Sequence, residues 1–429
     1  MARTFASLRH YNYRIWFFAA LIANTGTWMQ IIAQDWLVLA ELTNDDAFAV
    51  GTITALQFAP LLFFMPVAGL LADRYDKRRM LLCTQTLLAL LAFGLGTLVL
   101  MGNPQVWQVI LFALGTGTVA AFDAPPRTVF VSELVPPEDL PNAVGLNSTS
   151  FNLARLIGPG VAGLLISAVG SGWVFYINAA SFVFTIGALM LIRTSELYTR
   201  GLDPDAARGR GRLREGLRYV RSRGDLRVIF VVVGVVGCLT MNFQLTSAAM
   251  ARSVFDQDAG GYGILGSILA IGSVSGALMA ASRRKTPRTR TVVVAAGLCG
   301  VASGVNAVMP TYQTYAASLI LVGFSSLVLF TSANTVVQIS TDPSVRGRVL
   351  SLYQVVLMGT TPIGALIVGW ICEEISPRWG IGIGSVAAFC MVIWAYMWGR
   401  RHWGVTVRYN VHSQPHIEIR SMVERAREV

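Results

Sequence analysis

Two ionisable side chains stand inside long apolar stretches of this 429-residue chain: Asp35, within NTGTWMQIIAQDWLVL from Asn24 to Leu39, and Arg155, within the run from Asn142 to Val169. A carboxylic acid in such a place can take up and release a proton, whereas a guanidinium stays charged and has to be countered. Inserting either group into hydrocarbon costs about 2.5–3.5 kcal/mol, so each is expected to work for its place. Burial and a neighbouring cation pull on an acid's proton in opposite directions, which is the condition for a proton switch at Asp35. At 100° per residue, Asn24, Thr27, Gln34 and Asp35 share one sector of a helix and Phe18, Ile22, Met29 and Trp36 another. The plainer alternative is that Asp35 caps the end of a long helix. Counted from Asp139, Arg155 sits about 24 Å along its helix, too deep to reach an interface, and needs a carboxylate partner. Asp35 is the first candidate and Asp123 the second. A structural ion pair and a coupling role both stay open.

Composition explains why such groups are conspicuous. Of the residues, 54% are hydrophobic and 13% charged, which excludes a soluble globular protein. Twelve stretches are long and apolar enough to cross a bilayer: 15–40, 49–72, 80–101, 106–125, 142–169, 172–192, 226–250, 262–282, 291–309, 314–337, 347–371 and 379–398. The fold expected is all-α and polytopic, with a retained first helix. The net charge of +11 sits in short loops and not on one folded surface, so a nucleic-acid partner is not expected. Thirty of the 34 Lys and Arg residues fall on the side of the N-terminus. By the positive-inside rule both termini are expected in the cytoplasm.

The connection from Thr194 to Asp225 divides the spans six and six. It contains RLREGLRYVRSR, with Leu213, Leu217 and Val220 at helical spacing, read as a solvated linker or as a basic helix on anionic headgroups. The division is 1–193, a linker at 194–225, 226–399, and a tail at 400–429. The halves echo one another: Gly69 and its basic cluster match GALMAASRRK, Gly276 to Lys285, at a shift of 207. LPNAVGLN at Leu140 likewise matches VRGRVLSL at Val345, at a shift of 205.

Twelve spans in two related halves, together with GLLADRYDKRR from Gly69 to Arg79, resemble the major facilitator superfamily. The stretch is similar to that superfamily's first signature at Gly69, Leu71, Asp73, Arg74, Lys77 and Arg78, with Asp76 where the pattern has Gly. The resemblance implies a major facilitator fold of two six-helix bundles and a conformational latch. In it Gly69 admits a neighbouring helix, Asp73 faces the N-terminus of span eleven, and Lys77 or Arg78 pairs with Glu133 or, second, Asp123. Gly145, Ala154, Gly158, Pro159, Ala162 and Gly163 are similar to the antiporter signature of span five, an element that goes with export. Small residues at these intervals let helices pack closely, and Pro159 bends the helix. NTGTWMQIIAQDWLVL with FDAPPRTVFVSELVP, Phe122 to Pro136, looks more narrowly like the transmembrane secretion effector branch, which includes enterobactin-type exporters.

That resemblance implies a proton-coupled antiporter in a bacterial cytoplasmic membrane, exporting siderophores, macrolide-like antibiotics or lipophilic drugs by alternating access. Its partners would be a small-molecule substrate, protons and lipid, and it would act as a monomer. Asp35 would alternate between protonated and substrate-occupied states, with Arg155 as its partner. Asn24, Thr27, Trp28, Gln34, Asn242, Gln244 and Asn334 are the candidates for the substrate cavity, with Gln338, Tyr353 and Gln354 softer. A nutrient importer and a membrane-embedded sensor or scaffold are the competing readings. The GYGILG stretch at Gly261 satisfies G-x-G-x-x-G but lacks a preceding strand, and no phosphate-binding loop occurs. His10, His402, His412 and His416 lack ligand spacing, and the five cysteines read as small hydrophobes. No enzyme activity, metal or cofactor is expected.

Overall fold

The computed structural model describes residues 5–198, 212–282, 287–342, 345–403, 406–409 and 417–420. Its helices are α1 (Tyr11–Trp36), α2 (Ala47–Arg74), α3 (Lys77–Leu100), α4 (Val106–Glu133), α5 (Leu140–Val169), α6 (Ser171–Leu191), α7 (Arg212–Ser222), α8 (Gly224–Thr240), α9 (Phe243–Ala249), α10 (Ala259–Ser282), α11 (Thr289–Ala307), α12 (Tyr312–Ser340), α13 (Arg346–Gly359), α14 (Thr361–Glu374) and α15 (Pro377–Trp403). Together they make 12 membrane-length spans, because α8 with α9 and α13 with α14 each form one broken span. The only strands among the described residues, β1 (Thr406–Tyr409) and β2 (Ile417–Arg420), pair antiparallel in the tail. Residues 421–429 of the tail lie outside the described residues.

Several spans exceed the roughly 30 Å hydrocarbon core: Tyr11–Leu42 has 32 residues, about 48 Å of rise. The face carrying the N-terminus and the end of α15 is called here the terminal face, and the opposite one the far face. At the far face the first span ends in a π-helical turn, Leu37–Leu42, and the seventh in another, Met250–Val254. Each is closed by a backbone N–H reaching six residues back, Asp45 to Leu39 at 2.7 Å and Gln257 to Ala251 at 2.8 Å. The same turn in both halves is structural evidence of their common plan.

The two breaks have local causes. Pro362 has no N–H to offer one turn back, so the eleventh span restarts as α14, and Thr360 Oγ1 donates to the Val356 carbonyl at 2.9 Å. In the seventh span the Asn242 amide donates to the Cys238 carbonyl at 2.8 Å, replacing a backbone donor lost at the bend. Helices otherwise approach through small residues, since hydrocarbon gives no hydrophobic drive for their association. A Cβ on Gly117 of α4 would collide with the Gln57 carbonyl oxygen of α2.

First-half and second-half helices meet along two seams, α5 on α10 and α2 on α14. Both seams lie toward the far face. Ala259 O stands 2.6 Å from where a Cβ of Gly163 would sit, and Gly369 packs on the first turn of α2. Toward the terminal face the halves part: Gly145 of α5 and Gly69 of α2 have no atom within 4 Å of a Cβ position. The linker helix α7 does not lie free. Its Glu215 pairs with Arg348 of α13 at 2.6 Å, and Tyr219 donates to Asp342 at 3.0 Å. Val220 is buried and Leu217 exposed, while 199–211 and the side chain of Leu213 lie outside the described residues.

These contacts set contrasting expectations for two glycines. Gly117→Leu should lower the thermal midpoint of the detergent-solubilised protein, at a cost of about 1–3 kcal/mol or more for a backbone that cannot yield. Gly69→Leu should leave that midpoint unchanged.

Candidate functional site

Asp35 lies about 36 Å of rise beyond Tyr11, near the far face, yet is only 5% exposed. It is covered from the other half of the molecule: the Tyr262 hydroxyl of α10 donates to Asp35 Oδ2 at 3.1 Å. Trp36 stacks on the Tyr262 ring at 6.3 Å. Next to Asp35, Gln34 turns to Gln57 of α2, donating at 3.0 Å. Around this centre the halves are clasped at the far face. Arg252 pairs with Asp45 at 2.9 Å, and Glu373 accepts from the first backbone N–H of α2, Ala47, at 2.9 Å. The second contact sets a carboxylate at a helix N-terminus, where backbone donors are free and the dipole favours negative charge.

Arg155 lies about 22 Å along α5, near mid-membrane. The expected partnership with Asp35 or Asp123 is not formed. Asp35 is taken by Tyr262, and Asp123 accepts from Thr84 at 2.6 Å, Gln85 at 2.8 Å and Arg127 at 2.7 Å. No carboxylate among the described residues reaches Arg155, whose guanidinium carbon instead lies 5.5 Å from the centroid of the Trp28 ring. Gly158 is the cause, for lacking a side chain one turn beyond Arg155 it lets the Trp28 Cβ and the Thr25 carbonyl of α1 come close. Arg155, Trp28, Ile32, Pro159, Phe243, Gln244, Ser247 and Tyr262 line a hollow of about 20 Å³ between the halves. That is room for a water-sized group.

From this hollow a polar stripe runs down α5 toward the terminal face. Gly145, Ser148, Thr149 and Asn152 precede Arg155 at helical spacing, with Ser148 and Thr149 exposed. Exposed polar residues at this depth face an aqueous cleft and not lipid. Sequence reasoning missed the stripe, although its spacing was there to be read. It also missed Tyr262, whose signal was the rejected glycine motif. Gly263 and Gly266 of that motif press against Pro159 and Gly163 of α5, so the motif is the surface on which α10 mates with α5.

The other candidate residues are dispersed. Asn24 is half-buried on α1, and Thr27 is exposed, its hydroxyl donating to the Ala23 carbonyl. Gln244 lines the central hollow. Asn242 does not: it faces a separate hollow of about 20 Å³ inside the second half, with Asn306 and Tyr315. The bend of the seventh span turns it away from the interface that its neighbour reaches. Asn334 is half-buried on α12 and lines neither hollow, Gln338 and Gln354 are exposed, and the Tyr353 hydroxyl donates to the Phe330 carbonyl at 3.0 Å.

Of the latch, Lys77 stands 3.5 Å from Glu133 of α4. Arg78 donates to the Leu189 and Met190 carbonyls that end α6, Arg74 is exposed, and the Asp73 side chain lies outside the described residues. Asp76, where the signature has Gly, caps α3 by accepting from Arg79 N at 2.7 Å. Gly69 receives no neighbouring helix, contrary to expectation, because the halves part there. The matching cluster at Arg283–Lys285 lies outside the described residues. Nearby, hydrogen bonds from His10 and Arg9 hold the Asp139 carboxyl below the usual carboxylate range and tie the N-terminus to α5.

A solved structure with this arrangement is a bacterial homologue of the human lysosomal transporter Spinster, in an inward-facing and unoccupied conformation. It has a TM-score of 0.64 at 15% identity and covers 91% of this chain and 95% of its own. The sequence profile of transmembrane secretion effectors matches residues 2–425. The chain belongs to the transmembrane secretion effector family. This secretion effector is 27% identical over 365 residues to the multidrug efflux pump Tap of Mycolicibacterium fortuitum, covering 83% of this chain and 88% of Tap. It is 23% identical over 358 residues to the enterobactin exporter EntS of Salmonella choleraesuis, covering 83% and 84%. It is a multi-pass membrane transporter of the major facilitator type and not an enzyme.

Tyr262→Phe removes the hydrogen bond to Asp35, a loss averaging about 0.6 and reaching about 1.7 kcal/mol, or roughly three- to twentyfold in an opening equilibrium. In a cysteine-free background carrying Ala259→Cys, a membrane-impermeant maleimide applied at the far face should label the Tyr262→Phe protein faster by that factor. An unchanged rate would count against the bond as a closure of the far face.

Proposed function

We propose that this secretion effector is a proton-driven exporter of amphipathic small molecules, working as an antiporter by alternating access. The terminal face is cytoplasmic, in keeping with the distribution of Lys and Arg, and the membrane is the bacterial cytoplasmic membrane. The conformation described is open toward the cytoplasm and closed at the far face. The units that rock are the bundles 1–193 and 226–399, joined by the linker at 194–225, and the working unit is a monomer. The export functions of Tap and EntS support the direction of transport over an importer, and a scaffold has no use for a buried acid and a mid-membrane guanidinium.

The carrying observation is that Asp35 of one half is covered by Tyr262 of the other. When the far face opens, α10 leaves α1 and the carboxyl meets the external solution, where a proton binds. When the far face closes, Tyr262 returns and can bond the carboxylate in place of the proton. The proton then leaves by way of the hollow that Tyr262 shares with Arg155 and the cytoplasmic cleft. Each proton moved inward yields about 2.3 kcal/mol per 100 mV of membrane potential, enough for nearly fiftyfold accumulation.

Proteoliposomes loaded with a pH-sensitive dye and challenged with neutral, anionic and cationic aromatic fluorophores provide the test. An imposed proton gradient should drive accumulation of at least one fluorophore, with matching proton movement. Asp35→Asn should abolish both the proton signal and the gradient dependence while leaving downhill exchange. Undiminished proton-driven accumulation in Asp35→Asn would remove Asp35 from the mechanism.

A further inference from the structure

We infer that Arg155 is the receptor for an anionic head group, and that this exporter's substrates are amphipaths carrying a carboxylate or comparable oxyanion. The inference deepens the reading of this protein as an exporter of amphipathic small molecules, and rests on that reading. It differs from it in giving Arg155 a ligand and not a proton-coupling partner.

The charge balance at mid-membrane carries the argument. A buried guanidinium is ordinarily countered by a carboxylate of the same protein. Here both acids expected as partners are engaged elsewhere, Asp35 with Tyr262 and Asp123 with Arg127, Thr84 and Gln85. The contact made by Arg155 is with the Trp28 ring. The ring is no hydrogen-bond acceptor of the carboxylate kind, and the guanidinium N–H donors, which can hold a carboxylate bidentately, have no protein acceptor among the described residues. A cation–π contact steadies a guanidinium but does not neutralise it.

The surroundings suit a ligand entering from the terminal face with its charge foremost. The hollow beside Arg155 has about 20 Å³, room for one water-sized oxygen of an oxyanion and not for the body of a molecule. The body would lie along the cleft, where Ser148, Thr149 and Asn152 offer hydrogen bonds and Phe151 stands edge-on to Trp28 at 5.8 Å. Gln244 and Ser247 of α9 border the hollow from the opposite half, so a head group bound there touches both halves. A neutral or cationic head would leave the guanidinium uncountered. The charge of such a substrate also favours its exit, because the outward passage of an anion runs with a potential that is negative inside.

The probes are pyrene-1-butyrate and its uncharged amide, which differ in charge and little in shape. Each is titrated into the full-length protein in nanodiscs of zwitterionic lipid, with protein-free nanodiscs as blank, and bound pyrene is read by anisotropy. The carboxylate should bind at least about tenfold more tightly than the amide. Arg155→Gln should bring the two affinities within about twofold without weakening the amide, and Arg155→Lys should retain part of the preference. Equal affinities in the unsubstituted protein, or no binding of the carboxylate, would overturn the inference without needing a variant. A full preference in folded Arg155→Gln protein would overturn it too. Asp35→Asn separates this outcome from failure of the proton reading, since it should retain the carboxylate preference while losing proton-driven accumulation. If the preference holds but no proton gradient drives transport, the coupling falls and the anion receptor stands.

Discussion

Hydrocarbon supplies no partner for a polar atom, and the unusual features of this protein answer to that constraint. Where the seventh span bends, an asparagine amide replaces the missing backbone donor. Where Pro362 interrupts the eleventh, a threonine hydroxyl turns back to the carbonyl one turn before. Asp123 is surrounded by three donors, and Asp35 is covered by a tyrosine drawn from the other half of the chain. Against that background the guanidinium of Arg155 is the exception, a mid-membrane charge whose neighbour is an aromatic ring.

Close backbone packing follows from the same constraint. Because lipid tails are as apolar as leucine, helices in a bilayer gain little from burying apolar surface against each other and must fit by shape. The GPGVAG segment of α5 and the GGYGILG segment of α10 do so by presenting small residues to one another at Gly163 and Gly263. The seam has two chemical consequences: it brings Tyr262 over Asp35, and its neighbour Gly158 brings Trp28 under Arg155. Two side-chain interactions, Tyr262 with Asp35 and Trp28 with Arg155, are therefore set by glycines of the helix seams.

The sequence made the architecture plain, since each span carries its own apolar length and its own basic flank. Lys77 and Glu133, 56 positions apart in the chain, come together as family likeness suggests. What resisted reading depends on pairing between distant segments. Arg155 looked bound to need Asp35, but which acid faces which base depends on how α1, α5 and α10 rotate about their axes, and no local pattern fixes that. The clasp of Arg252 with Asp45 joins two short loops 207 positions apart and has no periodic signature. Asn242 and Gln244 differ in what they face because of one bend, and the residues at that bend look helical in isolation. The glycine motif at Gly261 has the spacing of a helix-packing surface, and it is used as one against α5.

The docking of α7 on α13 has a consequence for how the halves communicate. Through Glu215 and Tyr219 the helix is fixed to the second bundle, whose body therefore begins at Arg212 and not at Asp225. Any load carried by the connection reaches α13 directly, and with it the half of the broken eleventh span nearest the terminal face.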